Sequence, residues 1–311
     1  RNTPYLLSLI LGEFARLSPE RAMEFVVFDV ADERHLAFAQ ASIASIWAQS
    51  DAESALQWYL TSHEIGNEGH ADKTKVDDYV VRAIFKELAK NDLSYALSQI
   101  VRVPNEDNVL WSVSRGIMLS VDENTDMRYV IDELSRYNSP DMVREVLNGW
   151  SNTQPEQVAN WLDEQKPSKA RHQQKLSLLR TWMRNNSDDA ANWYIKDKEE
   201  GERNNAINHV MRHWAYNSPS NALSWIEKQE NIDSNFAINS LLQNTAGANP
   251  AFTVANLDRL EESNSKMQLM ANLVVNYYKK DKDATRSFIE SSSHREYLEQ
   301  HLAAYIAEQA F

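Results

Sequence analysis

The chain has 311 residues, 42% of them apolar, and its 45 acidic against 32 basic side chains give a net charge of −13. That excess repels nucleic acid and anionic lipid and favours basic partners only weakly. The absence of cysteine excludes disulfides, thiolate metal sites and cysteine nucleophiles, and no apolar stretch approaches the ~18 residues of a membrane span. The first residue is Arg1 and no signal-peptide pattern follows, so a processed chain is expected. Together with the missing cysteine this favours an exported, periplasmic bacterial protein, with the cytoplasm as the alternative.

Taken from the N-terminus, an aromatic or aliphatic anchor recurs at Phe14, Trp47, Leu88, Leu119, Trp150, Trp182, Trp214, Thr245 and Tyr277. The intervals are 33, 41, 31, 31, 32, 32, 31 and 32 residues. Each anchor predicts the end of a helix A, a capping residue four positions on, and a helix B with a small residue at +8 and a bulky pair at +11/+12. In the first unit Ser18 caps and Pro19 opens helix B, where a missing N–H costs nothing. In the second, Asp51 caps and Ala55 precedes Trp58–Tyr59. The long interval that follows places an insertion at 66–73, with helix B ending near Ile65 because Gly66 suits a helix-closing position. In the third, Val81, Ile84 and Phe85 form one helical face before Leu88, and Asp92 caps.

The unit at Leu119 matches poorly. The next three carry the clearest signal, W-x4-[P/S/A]-x2-A-x2-W, in Trp150/Trp161, Trp182/Trp193 and Trp214/Trp225. Their caps and helix starts fall at Pro155, Asn186 and Ser218–Pro219. The unit at Thr245 matches poorly again but keeps Asn249–Pro250. The last runs from Met270, Leu273 and Val274 through Tyr277 to the cap Asp281, and a closing helix is expected at about 294–310. The small +8 residue lets helix B approach helix A, and the large aromatic is expected to fill the gap to the next unit.

Strand signals are absent. A fixed period marks stacked repeats, which a bundle of unrelated helices has no reason to keep. The expectation is an all-α chain of about nine helix–turn–helix repeats forming one domain over 1–311. Paired helices of this length, with aromatic and alanine positions packing A against B, resemble the tetratricopeptide-like α-solenoid superfamily. The resemblance implies a right-handed superhelix whose concave surface, lined by the A helices, binds protein. The usual Gly and Tyr of helix A and the closing Pro are absent, so no site residue is carried over.

No phosphate-cradling glycine loop, dinucleotide fingerprint or nucleophile elbow is present, so neither catalysis nor a cofactor is expected. His209 and His213 form H-x-x-x-H, a spacing that could seed zinc binding, but the metalloprotease glutamate is replaced by Val210 and no third ligand is near; no metal is expected. The most informative feature is electrostatic. No acid falls between Glu164 and Asp188, nor between Glu202 and Glu227. At ~100° per residue, positions −2, −5 and +2 from the Trp lie opposite the packed face. They bring Arg180 and Arg184 of one unit beside Arg212, His209 and Tyr216 of the next. These five are the candidate partner-binding residues, for a protein or peptide with an acidic segment; the bland reading is a solvated basic face. The expected function is a binding scaffold. The alternative is the non-catalytic superhelical domain of a larger cell-envelope or polysaccharide-processing enzyme.

Overall fold

A computed structural model describes residues 3–29, 33–66, 74–137, 139–196 and 198–309. Among them every regular element is helical. Two compact units divide the chain, residues 1–174 and 175–311, a division the period alone does not mark.

The first unit holds α1 (Thr3–Leu17), α2 (Pro19–Asp29), α3 (Glu33–Gly66), α4 (Thr74–Asn91) and α5 (Leu93–Gln99). It continues with α6 (Asp107–Met118), α7 (Met127–Ser135), α8 (Pro140–Thr153) and α9 (Pro155–Glu164), and the division falls within α10 (Lys169–Trp182). The second unit holds α11 (Ser187–Lys196), α12 (Glu200–Asn217), α13 (Pro219–Ile226) and α14 (Ser234–Ala248). It ends with α15 (Pro250–Ala255), α16 (Asn264–Lys280), α17 (Lys282–Ser291) and α18 (Arg295–Glu308), which occupies the stretch of the expected closing helix. α3 is broken at Asp51, whose φ of −151° and ψ of 84° are extended, so it is a helix A and a helix B in one run. It ends at Gly66; the rest of the insertion expected at 66–73 lies outside the described residues.

At seven of the nine corners a single residue separates the paired helices, whereas residues 183–186 separate α10 from α11 and 119–126 separate α6 from α7. At Asp92, Gln154, Ser218, Asn249 and Asp281 the backbone N–H donates to the anchor carbonyl four residues back, at 2.7–2.9 Å. The same residue opens the next helix with an extended φ between −138° and −155°. One residue therefore closes helix A and caps helix B. The side chains of Asp51, Asp92, Asn249 and Asp281 accept the N–H three positions on, satisfying a donor that would otherwise be orphaned. Ser218 makes no such side-chain bond and has Pro219 at the first helical position.

Across each corner the aromatics meet. Ring centroids are 6.1 Å apart for Trp47/Trp58, 6.4 Å for Trp150/Trp161, 5.9 Å for Trp182/Trp193 and 5.2 Å for Trp214/Trp225. The second ring thus packs on the first ring of its own hairpin, and two of these rings also touch a neighbouring hairpin: Arg171 lies over the Trp161 ring at 4.6 Å, and Trp225 Nε1 donates to Asn192. With a one-residue corner, helix B folds back beside the anchor and position +11 lands over it. The more regular stripe is +8/+12. From Ala22 to Thr285 all nine +8 residues are 4% exposed or less, and from Val26 to Ile289 all nine +12 residues are 6% or less. Position +11 varies widely, with Phe25 44% exposed. Residues four apart share one helix face, and each apolar +12 side chain buried there contributes about 1.5–3 kcal/mol.

The poorly matching anchors differ from the rest in kind. Leu119 is 53% exposed, because α6 stops at Met118 and a turn braced by Asp122 and Thr125 delays α7 to Met127. Thr245 is buried and replaces the aromatic contact by a hydroxyl pair with Thr253 at 2.9 Å.

Within the first unit α4 packs on α3 and α6, and α6 on α8; within the second α12, α14, α16 and α18 pack in succession. Each B helix of the second unit from α13 on packs on its own A helix and on the next. Side-chain bonds between neighbouring hairpins span various separations, among which 32 residues recurs in the second unit. Ser240 Oγ donates to Asn208 Oδ1 (2.6 Å), Arg259 to Glu227 (2.6 Å) and Lys280 Nζ to the Ala248 carbonyl (2.6 Å), each spanning 32 residues. Trp225 Nε1 donates to Asn192 Oδ1 across 33 residues at 3.0 Å.

Candidate partner-binding site

The acid-free stretches contain all of α10 and most of α12, and from Lys175 on they belong to the second unit. Arg180 lies in the last turn of α10, where a cation complements the negative end of the helix dipole. Arg212 and Tyr216 stand one turn apart on α12, both exposed, Tyr216 by 70%. Arg184 is exposed in the turn after α10 and not on the helix, since α10 ends at Trp182. His209 is half-buried with its ring edge-on to Tyr194 at 6.3 Å, so it points partly into the packing of α11 on α12.

The structure adds a residue to this group. His213, half-buried, sits within the fields of Arg180, His209 and Arg212. Burial first, and then the positive charge of Arg180, His209 and Arg212, hold its imidazolium below the ordinary histidine range. His213 therefore links α10 to α12: Arg180 belongs to one hairpin, and Arg212 to the next. In sequence His213 reads as a packing residue, since its angular position lies between the buried and open faces. Only the proximity of α10 reveals its surroundings.

The arginines fall into two electrostatic settings. Arg102, Arg115, Arg128 and Arg259 each reach a carboxylate: Glu53 at 2.7 Å, Glu145, Glu164 at 2.7 Å and Glu227 at 2.6 Å. Among the described residues Arg180, Arg184 and Arg212 form no ion pair, nor do Arg21, Arg82, Arg171 and Arg203, but Arg82 and Arg171 lie over aromatic rings and Arg203 donates to backbone carbonyls. Guanidinium groups left open in an acidic chain, beside a neutral imidazole able to donate or accept, suit a carboxylate. The same charges oppose a divalent cation between His209 and His213. Among the described residues no group of three or more His, Asp or Glu is placed to hold a metal ion, and no helix is long and apolar enough to cross a membrane.

The described residues thus define an all-helical protein with an open cationic cluster on successive helices. No protein-family model, no curated protein and no solved structure matches the chain.

Proposed function

We propose that the chain is a tetratricopeptide-like, right-handed helical-repeat array that acts as a binding scaffold for a protein or peptide carrying an acidic segment, and not as an enzyme. The observation that carries this reading is the set of arginines without carboxylate partners on neighbouring A helices, Arg180 and Arg212, in a chain of net charge −13. Leaving them open has no folding benefit, whereas Arg102, Arg115, Arg128 and Arg259 stitch helices together. The bonds recurring at 32 residues support the stacked-repeat part of the reading, because equivalent positions meet only when like hairpins lie side by side.

The test is affinity capture with the intact chain and with the Arg180→Glu/Arg212→Glu variant. Partners with acidic segments should be retained by the first and lost by the second, and retention should fall with added salt. An identical, salt-insensitive partner set for both proteins would reduce these arginines to surface charge.

A further inference from the structure

A second surface of the 175–311 unit carries a different chemistry. A groove of about 440 Å³ runs between α14 and α16. Its polar lining is Gln243, Gln268, Asn272 and Asn276, over an apolar base of Ala246, Leu269 and Val275. No lining residue is charged. The three lysines of α16 are engaged elsewhere: Lys266 Nζ donates to the Leu260 carbonyl at 3.0 Å and to Glu262 at 2.8 Å, Lys279 Nζ lies over the Tyr305 ring at 4.9 Å, and Lys280 Nζ donates to the Ala248 carbonyl at 2.6 Å. α14 itself contains no ionisable side chain.

The amides are spaced in a regular way. Gln268, Asn272 and Asn276 follow one another at i, i+4, as do Asn239 and Gln243 on the facing helix. Gln243 Nε2 reaches Asn239 Oδ1 at 3.4 Å, and Asn239 is tied to Ser265 on α16, which fixes one end of the groove. The side chains of Gln268, Asn272 and Asn276 make no hydrogen bond among the described residues. An asparagine in a helix interior is a weak helix former, and three open rungs of amide offer the fold little.

Each primary amide presents two N–H donors and a carbonyl acceptor without charge. Its complement is a neutral group that alternates donors with acceptors, which is a peptide backbone. Spacing supports the match. Rungs four residues apart on a helix are separated by about 6.0 Å. In an extended chain the groups facing one edge repeat every two residues, about 6.6–6.8 Å. The mismatch is under about 1 Å per rung, within the reach of a rotating amide side chain.

We infer that this groove binds an extended, uncharged polypeptide segment through its backbone, with alternate small apolar side chains resting on Ala246, Leu269 and Val275. The inference deepens the peptide-scaffold reading above but uses none of its arginines. It gives the scaffold a sequence-tolerant grip beside a charge-selective one.

The experiment presents the full chain, immobilised, with a library of uncharged octapeptides and sequences those retained. The best binder is then resynthesised with alternate backbone nitrogens methylated in either of two registers. Methylation in one register should weaken binding about tenfold or more and in the other register much less, because only one edge of an extended chain faces the amides. The Gln268→Ala/Asn272→Ala/Asn276→Ala variant should lose binding to a similar degree while keeping its helicity and melting temperature, since alanine is the better helix former. Maltohexaose is included as a competitor of a different class, and displacement of the peptide by it at equal concentration would assign the groove to carbohydrate. Equal binding of both methylated peptides, or full binding by the triple variant, would overturn the inference. A peptide lost instead on Arg180→Glu/Arg212→Glu leaves the scaffold reading standing and this one refuted. Retention of no peptide by the intact chain refutes the backbone-binding groove, while acidic partners held in the capture experiment would still support the scaffold.

Discussion

Trp214 offers the sharpest test of how the paired aromatics hold this protein together. It is 1% exposed, and its ring lies 5.2 Å from that of Trp225, which is 2% exposed. Replacement by alanine removes a large buried ring and leaves a cavity, which costs about 3–5 kcal/mol. The indole N–H makes the expectation more specific. Trp225 Nε1 donates to Asn192 at 3.0 Å, whereas Trp214 Nε1 is buried with no acceptor among the described residues. A buried donor left unpaired costs roughly 1–3 kcal/mol, and a made hydrogen bond contributes roughly 0.5–1.5 kcal/mol. Substitution by phenylalanine shrinks both rings alike. At Trp214 it also removes an unfavourable donor, and at Trp225 it removes a favourable bond. Trp225→Phe should therefore be the more destabilising of the two by about 2 kcal/mol. Urea unfolding followed by far-ultraviolet circular dichroism reads the difference, and the alanine variant should lower the midpoint by about one molar or more. A Trp214→Phe protein at least as destabilised as Trp225→Phe would refute the hydrogen-bond argument. A wild-type midpoint for Trp214→Ala would refute the packing itself.

Gly116 and Gly149 should respond to alanine in opposite directions. A Cβ at Gly116 would lie 2.5 Å from the Arg82 carbonyl and 3.2 Å from the Lys86 nitrogen, backbone atoms of α4, so thermal melts should show a loss of about 1–3 kcal/mol despite the better helix former. At Gly149 the nearest atom is the flexible end of Met118 at 2.6 Å, and Gly149→Ala should be neutral or stabilising by up to about 1 kcal/mol. Asp92→Ala and Asp281→Ala should each cost about 1 kcal/mol in denaturant titrations, and Ser218→Ala much less, because only the first two side chains accept a cap hydrogen bond; equal losses would contradict the corner geometry. His213 carries a folded-state pKa below its unfolded value, so the unfolded chain binds its proton first and stability falls as pH drops below about 6.5 toward the folded value. His213→Gln should flatten that part of the stability–pH curve, and an unchanged slope would place the histidine elsewhere.

Much of the architecture is legible in the residues because its causes are local. The 3.6-residue period places Val210 and Met211 on the face that ends at Trp214, and a short polar side chain followed by proline starts a helix whatever lies around it. The +8/+12 stripe is also written in the residues, but the tryptophans at +11 are the stronger signal. Indole is the rarest and largest signal, whereas alanine at +8 is common everywhere. The candidate site is legible only in part. Charge patterning singles out Arg180 and Arg212, yet the helical wheel also sets Arg184 on the same helix, and α10 ends two residues before it.

What the sequence determined by itself is therefore what depends on neighbours within a turn or two of helix: the all-helical class, the anchors, the corners and their caps. Tertiary structure alone decided which side chains meet across helices. It exposed Leu119, replaced an aromatic contact by Thr245 with Thr253, placed His213 within the field of Arg180, and brought Gln243 to the same groove as Gln268 and Asn272. Those contacts join residues about 8 to 33 positions apart. They depend on how closely two helices approach and at what rotation, and that is set by the volumes of all the side chains between them, not by any short run of sequence.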